Sequence, residues 1–359
     1  MIKTLALMTA ALTISQAVYA VDDQSNDNPG TLSFYLENDL FAETDQQYTN
    51  GVRVSWVSPD ISDYLNDEQL PGWVRRYNRF VTAPLGLFEE GQPPAESEIS
   101  RNLVITVGQQ MYTPEDIDRV TVDPDDRPYA GWLYLGAGYH LKARQKMDSA
   151  IINIGMIGPA SQAQEAQDFI HDLRGLETFK GWDNQLSNEL GLQLVYERKY
   201  RQPVQNIAGG LQYDIIYHGG ASLGNVATYL NGGAEFRIGW HLPDDFGTSA
   251  LRPGGDNSAP GKKDRRTSGS GYSLDENLGL HGFISLDGRW VLRDIFLDGN
   301  TFTDSHSVDK KPLVGDIAIG ASMLVQGWKL SYARVFRTKE FDTQSSSHSY
   351  GSLSASYSY

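Results

Sequence analysis

The sequence predicts an all-β chain: a transmembrane antiparallel β-barrel of about twelve strands with one short helix in an extracellular loop. Three observations predict it. Apolar and polar residues alternate with period 2 in run after run. No stretch reaches about 18 consecutive apolar residues, so no helix spans a bilayer. The last run, YGSLSASYSY, sets Leu353, Ala355, Tyr357 and Tyr359 against Ser352, Ser354, Ser356 and Ser358. An amphipathic strand closing on an aromatic residue is the usual ending of a bacterial outer-membrane barrel. The competing fold, a secreted β-sandwich or soluble closed barrel, has no need of such a strand. A mean hydropathy of −0.41 does not oppose the membrane reading, because only alternate residues face lipid.

The chain opens on MIKTLALMTAALTISQAVYA, with a lysine, an apolar middle and Val18-Tyr19-Ala20. This reads as a signal peptide, residues 1–20, leaving 21–359 as the barrel with its site on the extracellular rim. The 359 residues contain no Cys, so an exported chain must be held by its core or by closure of a sheet. The net charge of −15 argues against attraction to nucleic acid or to an anionic lipid surface as a whole. Acidic groups close to a phosphorylated ligand would call for a divalent cation between them.

The strands follow in order. Leu32, Phe34 and Leu36 form one face of the first, and Val52, Val54 and Trp56 one face of the second. Leu103, Ile105 and Val107 continue, then Tyr129 to Leu141, then Ala150 to Met156. Leu190 to Tyr196, Ile207 to Tyr217 and Thr228 to Trp240 come next. Leu278 to Leu286, Ile317 to Val325, Trp328 to Phe336 and the last run complete the pattern. An even-stranded barrel places both termini in the periplasm, so Phe41–Gln47, Tyr112–Arg127, Gly158–Leu186 and His218–Asn225 are expected outside. Ser58–Ser100 and His241–Tyr272 then become long periplasmic connections, where short turns are normal. Within the second, GKKDRR lies among Gly, Ser and Asp and reads as a solvated loop.

Gly158–Glu189 breaks the alternation. Ser161 and Gln164 have capping-box spacing. Ala163, Ala166, Ile170 and Leu173 recur at steps of 3, 4 and 3, which predicts one apolar helix face with His171 on its border. Gly175 is the expected stop, and Glu177 follows it.

Four polar clusters share the predicted extracellular rim: Glu37-Asn38-Asp39, Tyr48-Thr49-Asn50-Gly51, the stretch from Met111 to Tyr129 with Asp125-Asp126-Arg127, and the helix with His171 and Glu177. Oxygen ligands from Asn, Asp and Glu suit a hard cation such as Ca²⁺. A His beside such a cation can serve as general base for water. Each cluster has a plainer reading, as turn, packed histidine or ion-paired loop; their convergence favours chemistry. Gly220-Ala221-Ser222-Leu223-Gly224 matches G-x-S-x-G, but the motif needs a strand-to-helix elbow and no helix follows.

ENDLF with DQQYTNGVRVSW, GQQMYTP with DDRPYAGW, IGPASQAQEAQDFIH with GWDNQ, and RTKEF together resemble the outer-membrane lipid A 3′-O-deacylase family. The resemblance covers nearly the whole mature chain. It implies a twelve-stranded barrel in the outer membrane of a Gram-negative bacterium, a hydrolase that removes the 3′-linked acyloxyacyl group of lipid A in lipopolysaccharide. It also implies a Ca²⁺ cofactor and a site between the barrel wall and a loop helix. By motif, His171 matches the water-activating His, while Asn38, Asp39 and Thr49 match further catalytic positions. Asn38, Asp39 and Glu177 match the Ca²⁺ site. The loop after Thr113-Pro114 departs from the family: a functional Lys is replaced by EDIDRVTVDPDD, in which Arg119 is the nearest cation. Arg119 and Arg127 are the expected substrate-binding residues, and a monomer is expected. Two other readings are a phospholipase-type esterase on the same barrel and a non-catalytic pore. For a pore, Arg53, Glu197, Asp214, Glu235 and Arg237 would line a channel, unless they form an ion-paired plug.

Overall fold

The computed structural model describes residues 29–38, 47–62, 76, 99–248, 259–261, 264, 266 and 278–359, with side chains left out for 47–50. The expected signal peptide lies outside the described residues, as does Asp39.

Twelve long strands form a closed antiparallel ring: β1 Thr31–Asn38, β2 Gln47–Val57, β3 Ile99–Thr113, β4 Ala130–Ala143, β5 Lys146–Ile157, β6 Glu189–Arg201, β7 Gln212–Gly224, β8 Ala227–Trp240, β9 Gly279–Asp294, β10 Leu313–Val325, β11 Trp328–Arg337 and β12 His348–Ser358. A two-residue strand, Gln205–Asn206, hangs on β7. Each long strand pairs with its sequence neighbours, and β1 closes the ring on β12 from Thr31↔Ser358 to Asn38↔Gly351. The expected strand number and the expected closing strand are both found. His218–Asn225, expected to be an outer loop, is instead mostly strand: β7 runs to Gly224 and only a tight turn separates it from β8.

Closure follows from the solvent. The outward positions of β6 are Leu190, Leu192, Leu194 and Tyr196, all 41% exposed or more, while Gln193, Val195, Glu197 and Lys199 are buried. In water this would be an inside-out protein. In lipid it is the stable arrangement, because backbone groups find no partners there except in a neighbouring strand.

The lumen is filled at both ends. At the rim away from the termini, here the outer rim, the β9–β10 connection begins with α2 (Ile295–Asp298). Its Ile295 and Phe296 pack with Trp132, Tyr134, Ile157 and Leu186, and Phe296 stacks on Tyr112 at 4.2 Å. At the terminal rim the β8–β9 connection turns inward. Asp245 there meets Arg237 Nη1 at 2.6 Å, Arg266 Nη2 at 3.0 Å and Lys329 Nζ at 2.6 Å. Asp214 takes the other side of Arg237 at 2.6 Å. Lys142 Nζ donates to the carbonyls of Ala259 and Pro260 at 3.2 and 3.3 Å.

Of GKKDRR, expected to be a solvated loop, the described Asp264 and Arg266 are instead 1% and 6% exposed and ion-paired to each other. Their charges stay inside because Asp245 compensates several cations at once. The lumen charges form a plug rather than lining a channel.

Asp245→Ala would leave Arg237, Arg266 and Lys329 short of their shared carboxylate, an uncompensated buried charge worth about 3–5 kcal/mol. The expected result is a lower unfolding temperature in detergent and an ion current in planar bilayers that the wild type does not carry.

Candidate active site at the outer rim

The site is built where the lipid-facing pattern stops. On β3 the outward positions Leu103, Ile105 and Val107 are exposed, but Met111 and Thr113, on the same face, are 2% and 0% exposed. On β4, Leu135 is 64% exposed, and four residues nearer the rim Gly131 is covered. On β1, Phe34 is 42% exposed and Asn38 only 7%. Something other than lipid covers this part of the wall. Over β3 and β4 it is the helix α1, Ala163–Arg174.

Gly131 allows the helix to sit down. A Cβ there would lie 2.2 Å from both the Ala163 methyl and Ser161 Oγ. Gln109 Nε2 donates to the Ser161 carbonyl at 2.7 Å, fixing the turn before the helix to β3. Trp182 Nε1 donates to Gln167 Oε1 at 2.7 Å, and Trp182, Tyr129, Phe179, Met111 and Ala163 form a small core between helix, loop and wall.

Two local expectations for α1 are corrected. Ser161 does not cap it: Gln162 occupies that position with left-handed φ, and Ser161 Oγ donates to the Gly158 carbonyl at 2.6 Å inside a preceding 3₁₀ turn. The buried stripe is Ala163, Gln167 and His171, not the Ala166-Ile170-Leu173 side, and Leu173 is 76% exposed. The polar Gln167 and His171 can be buried against the wall because each finds a partner in the segment after the helix, Trp182 and the Glu177 carbonyl. His171 is therefore central to the docked face, not on its border.

Gly175 ends the helix as expected, with φ +68° and Leu176 N bonded to the His171 carbonyl at 2.9 Å. This left-handed cap turns the chain back beside the last turn. It brings the Glu177 carbonyl within 2.5 Å of His171 Nδ1. A carbonyl only accepts, so Nδ1 carries the proton in the neutral ring and Nε2 keeps a lone pair. The ring also packs edge-on against Phe179 at 5.8 Å. His171 is 1% exposed overall, and its tautomer is set by the backbone at Glu177. The Glu177 side chain itself is exposed.

Asn38 ends β1 and pairs with Asn50 of β2, which pairs with Met111, which pairs with Gly131. These positions form one row across the wall, and α1 starts at its β4 end. The β2–β3 register slips by one between Tyr48 and Asn50, so a bulge falls at Thr49. Bulges cluster beside active sites, where they re-aim a strand. The three candidate regions thus share one rim, as expected. Among the described residues, no group of three or more His, Asp and Glu has metal-binding geometry. The described donors, the Asn38 amide oxygen and the Glu177 carboxylate, are all oxygen and chemically suited to a hard cation.

The two arginines line one small pocket of the β3–β4 loop but differ in what they meet. Arg119 is ion-paired to Asp123 in its own loop. Arg127 is 1% exposed, 3.5 Å from Glu340 and stacked over the Tyr112 ring at 5.0 Å. Burial alone would raise the Glu340 carboxyl, but Arg337, Arg127 and Arg289 hold it below the ordinary glutamate value. As placed, Arg127 ties the β3–β4 loop to the RTKEF segment and offers no surface to a substrate. Ser222 stands on β7, buried, donating to the Ala227 carbonyl at 2.9 Å and accepting from Gln193 at 3.0 Å. It is a strand residue without a base.

Gly131, Gln167 and Trp182 are the positioning residues that the sequence reading did not single out. Their signal was present in YAGW, in the step of four from Ala163 to Gln167 to His171, and in GWDNQ. Gly131→Ala should lift α1 from the wall, and trypsin should then cut after Arg174 several-fold faster. Adding Ala163→Gly should recover part of the protection. Unchanged cleavage in Gly131→Ala would remove this account of helix docking.

The sequence pattern of the family described as outer membrane protein LpxR matches residues 5–359. Among solved structures, LpxR from Salmonella typhimurium superposes with a TM-score of 0.68 at 18% identity, covering 91% of this chain and 99% of that one. The β domain of the Bordetella autotransporter BrkA matches at a TM-score of 0.41 and 9% identity, over 93% of this chain and 99% of that one, and supports no argument. No curated protein matches the sequence. The fold is that of the Salmonella barrel, and the chain belongs to the LpxR family of outer membrane proteins.

Proposed function

We propose that this outer-membrane barrel is a Ca²⁺-dependent carboxylic ester hydrolase that removes the 3′-linked acyloxyacyl group from lipid A in the outer leaflet. The observation that carries the reading is His171, buried between helix and wall, with Nδ1 held by the Glu177 carbonyl at 2.5 Å. Nε2 is then the atom that takes a proton from water. The water oxygen adds to the ester carbonyl, the tetrahedral adduct expels the sugar 3′ oxygen, and that oxygen receives the proton back from Nε2. One water is consumed, and a free carboxylic acid and a sugar hydroxyl are released. Asn38, Asp39 and Glu177 would hold the cation, with Asp39 and Thr49 helping to order the site. A bound Ca²⁺ would supply positive charge to the developing oxyanion. The exposed side of α1 supports a lipid substrate: its apolar Phe169 and Leu173 are 56% and 76% exposed.

Incubating the protein with lipopolysaccharide and reading the lipid A mass tests the proposal. The expected outcome is loss of the 3′ acyloxyacyl group with Ca²⁺ and none after chelation. His171→Ala should be slower by about 10²- to 10⁴-fold, the usual contribution of a general base. Phosphatidylethanolamine assayed in parallel should stay intact; equal hydrolysis of both would make the enzyme a phospholipase-type esterase instead.

Glu177 separates two roles. Glu177→Ala keeps the carbonyl that orients His171 and removes the carboxylate. If the carboxylate binds Ca²⁺, this variant needs more Ca²⁺ for half-maximal rate. An unchanged Ca²⁺ requirement would restrict Glu177 to its backbone.

A further inference from the structure

On the far side of the barrel the lipid-facing wall is hollowed. An open groove of about 780 Å³ lies across β8, β9 and β10 near the outer rim. Its apolar walls are Leu230, Trp290 and Leu313, which are 49%, 50% and 70% exposed. Its upper end carries Lys311 and Lys339. Counting around the ring, β9 is six strands from β3 in either direction, so the groove is opposite the wall that α1 covers.

The hollow exists because outward positions that elsewhere hold Leu, Ile or Phe are here glycine. Gly232, Gly288 and Gly315 pair in register across the three strands. The fold does not require them. A Cβ at Gly232, Gly288 or Gly315 would come no closer than 3.6, 3.8 and 3.8 Å to any neighbour, and none has positive φ. Gly233 and Gly239 differ, since a Cβ there would lie 2.0 and 2.1 Å from a backbone carbonyl. Glycine weakens a strand interior unless something must approach its backbone.

The charge at the upper end names the approaching group. Lys339 has no anionic partner among the described residues. The Lys311 ammonium meets Asp342 at 2.6 Å among the described residues, and that carboxylate is 65% exposed. Such a surface pair is weak and exchangeable for another anion. In a chain of net charge −15, two lysines above an apolar trough in the outer half of the wall match a phosphorylated, acylated lipid. Trp290, half exposed and paired with Leu313 at the rim end of β10, is of a residue type enriched at membrane interfaces.

We propose that this groove is a second, non-catalytic docking site for lipid A, with one acyl chain on the glycine floor and a phosphate at Lys339 and Lys311. The proposal shares with the proposed function only the identity of the lipid, and it does not depend on hydrolysis.

Native mass spectrometry of the detergent-released chain, titrated with purified lipid A in a His171→Ala background, reads the site directly. Gly288→Leu, which fills the trough where the backbone has room, should cut retained lipid A at least fivefold, and Lys339→Glu should do likewise. Gly288→Ala should have a smaller effect, and Leu192→Phe, on another wall, none. Equal retention in the parent, Gly288→Leu and Lys339→Glu would overturn the proposal. So would phosphatidylethanolamine retained as well as lipid A, or a dimer that Gly288→Leu dissolves. Heat-modifiable migration on gels confirms that each variant is folded. A chain that never deacylates lipid A but loses it on Gly288→Leu defeats the proposed function and leaves the groove standing. The reverse result defeats the groove alone.

Discussion

A barrel wall in lipid has no spare partners for its backbone, and the seam from Thr31↔Ser358 to Asn38↔Gly351 is where that constraint is met. Everything else adjusts to it. Outward positions must be apolar, and inward positions take the polar residues that remain. With charges inside, the lumen must neutralise itself, which it does around Asp245 with Arg237, Arg266 and Lys329. The outer mouth is closed by a different means, the stacked aromatic layer of Tyr112, Phe296, Trp132 and Tyr134. One end is ionic and one apolar.

The same constraint shows why the candidate site is where it is. An outward-facing polar residue within the wall is costly unless protein covers it. Asn38, Thr113 and Gln109 break the lipid-facing pattern within the last residues before the rim, and α1 supplies cover over β3 and β4. The breach of alternation and the presence of the helix are one fact.

Much of this was legible in the sequence because period-2 alternation is a local property. Strand number, the closing strand and the Gly175 stop all follow from residues near one another in the chain. What was not legible depends on partners far away. The apolar stripe on α1 was misread because Gln167 and His171 count as polar until Trp182 and the Glu177 carbonyl are known to meet them. GKKDRR looked solvated because the carboxylate that Arg266 meets, Asp245, stands 21 residues earlier in the same connection and shares its charge with Arg237 and Lys329 of the wall only in the folded chain. Arg127 looked available because Glu340 lies on the other side of the barrel mouth in sequence.

The interval between His171 and Glu177 shows how local geometry can fix a functional spacing. A helix ending in a left-handed glycine returns the chain beside its own last turn, and the residue that comes level with His171 is Glu177. Shortening the interval would withdraw the carbonyl from Nδ1; lengthening it would carry the Glu177 side chain away from the rim. Yet a helix of 12 residues is marginal on its own, and its docked face holds one small apolar residue, Ala163. The position of His171 therefore rests on contacts remote from any substrate: the missing side chain at Gly131, the Gln109 bond to Ser161, and the Trp182 bond to Gln167. These three decide whether the imidazole meets the wall at all.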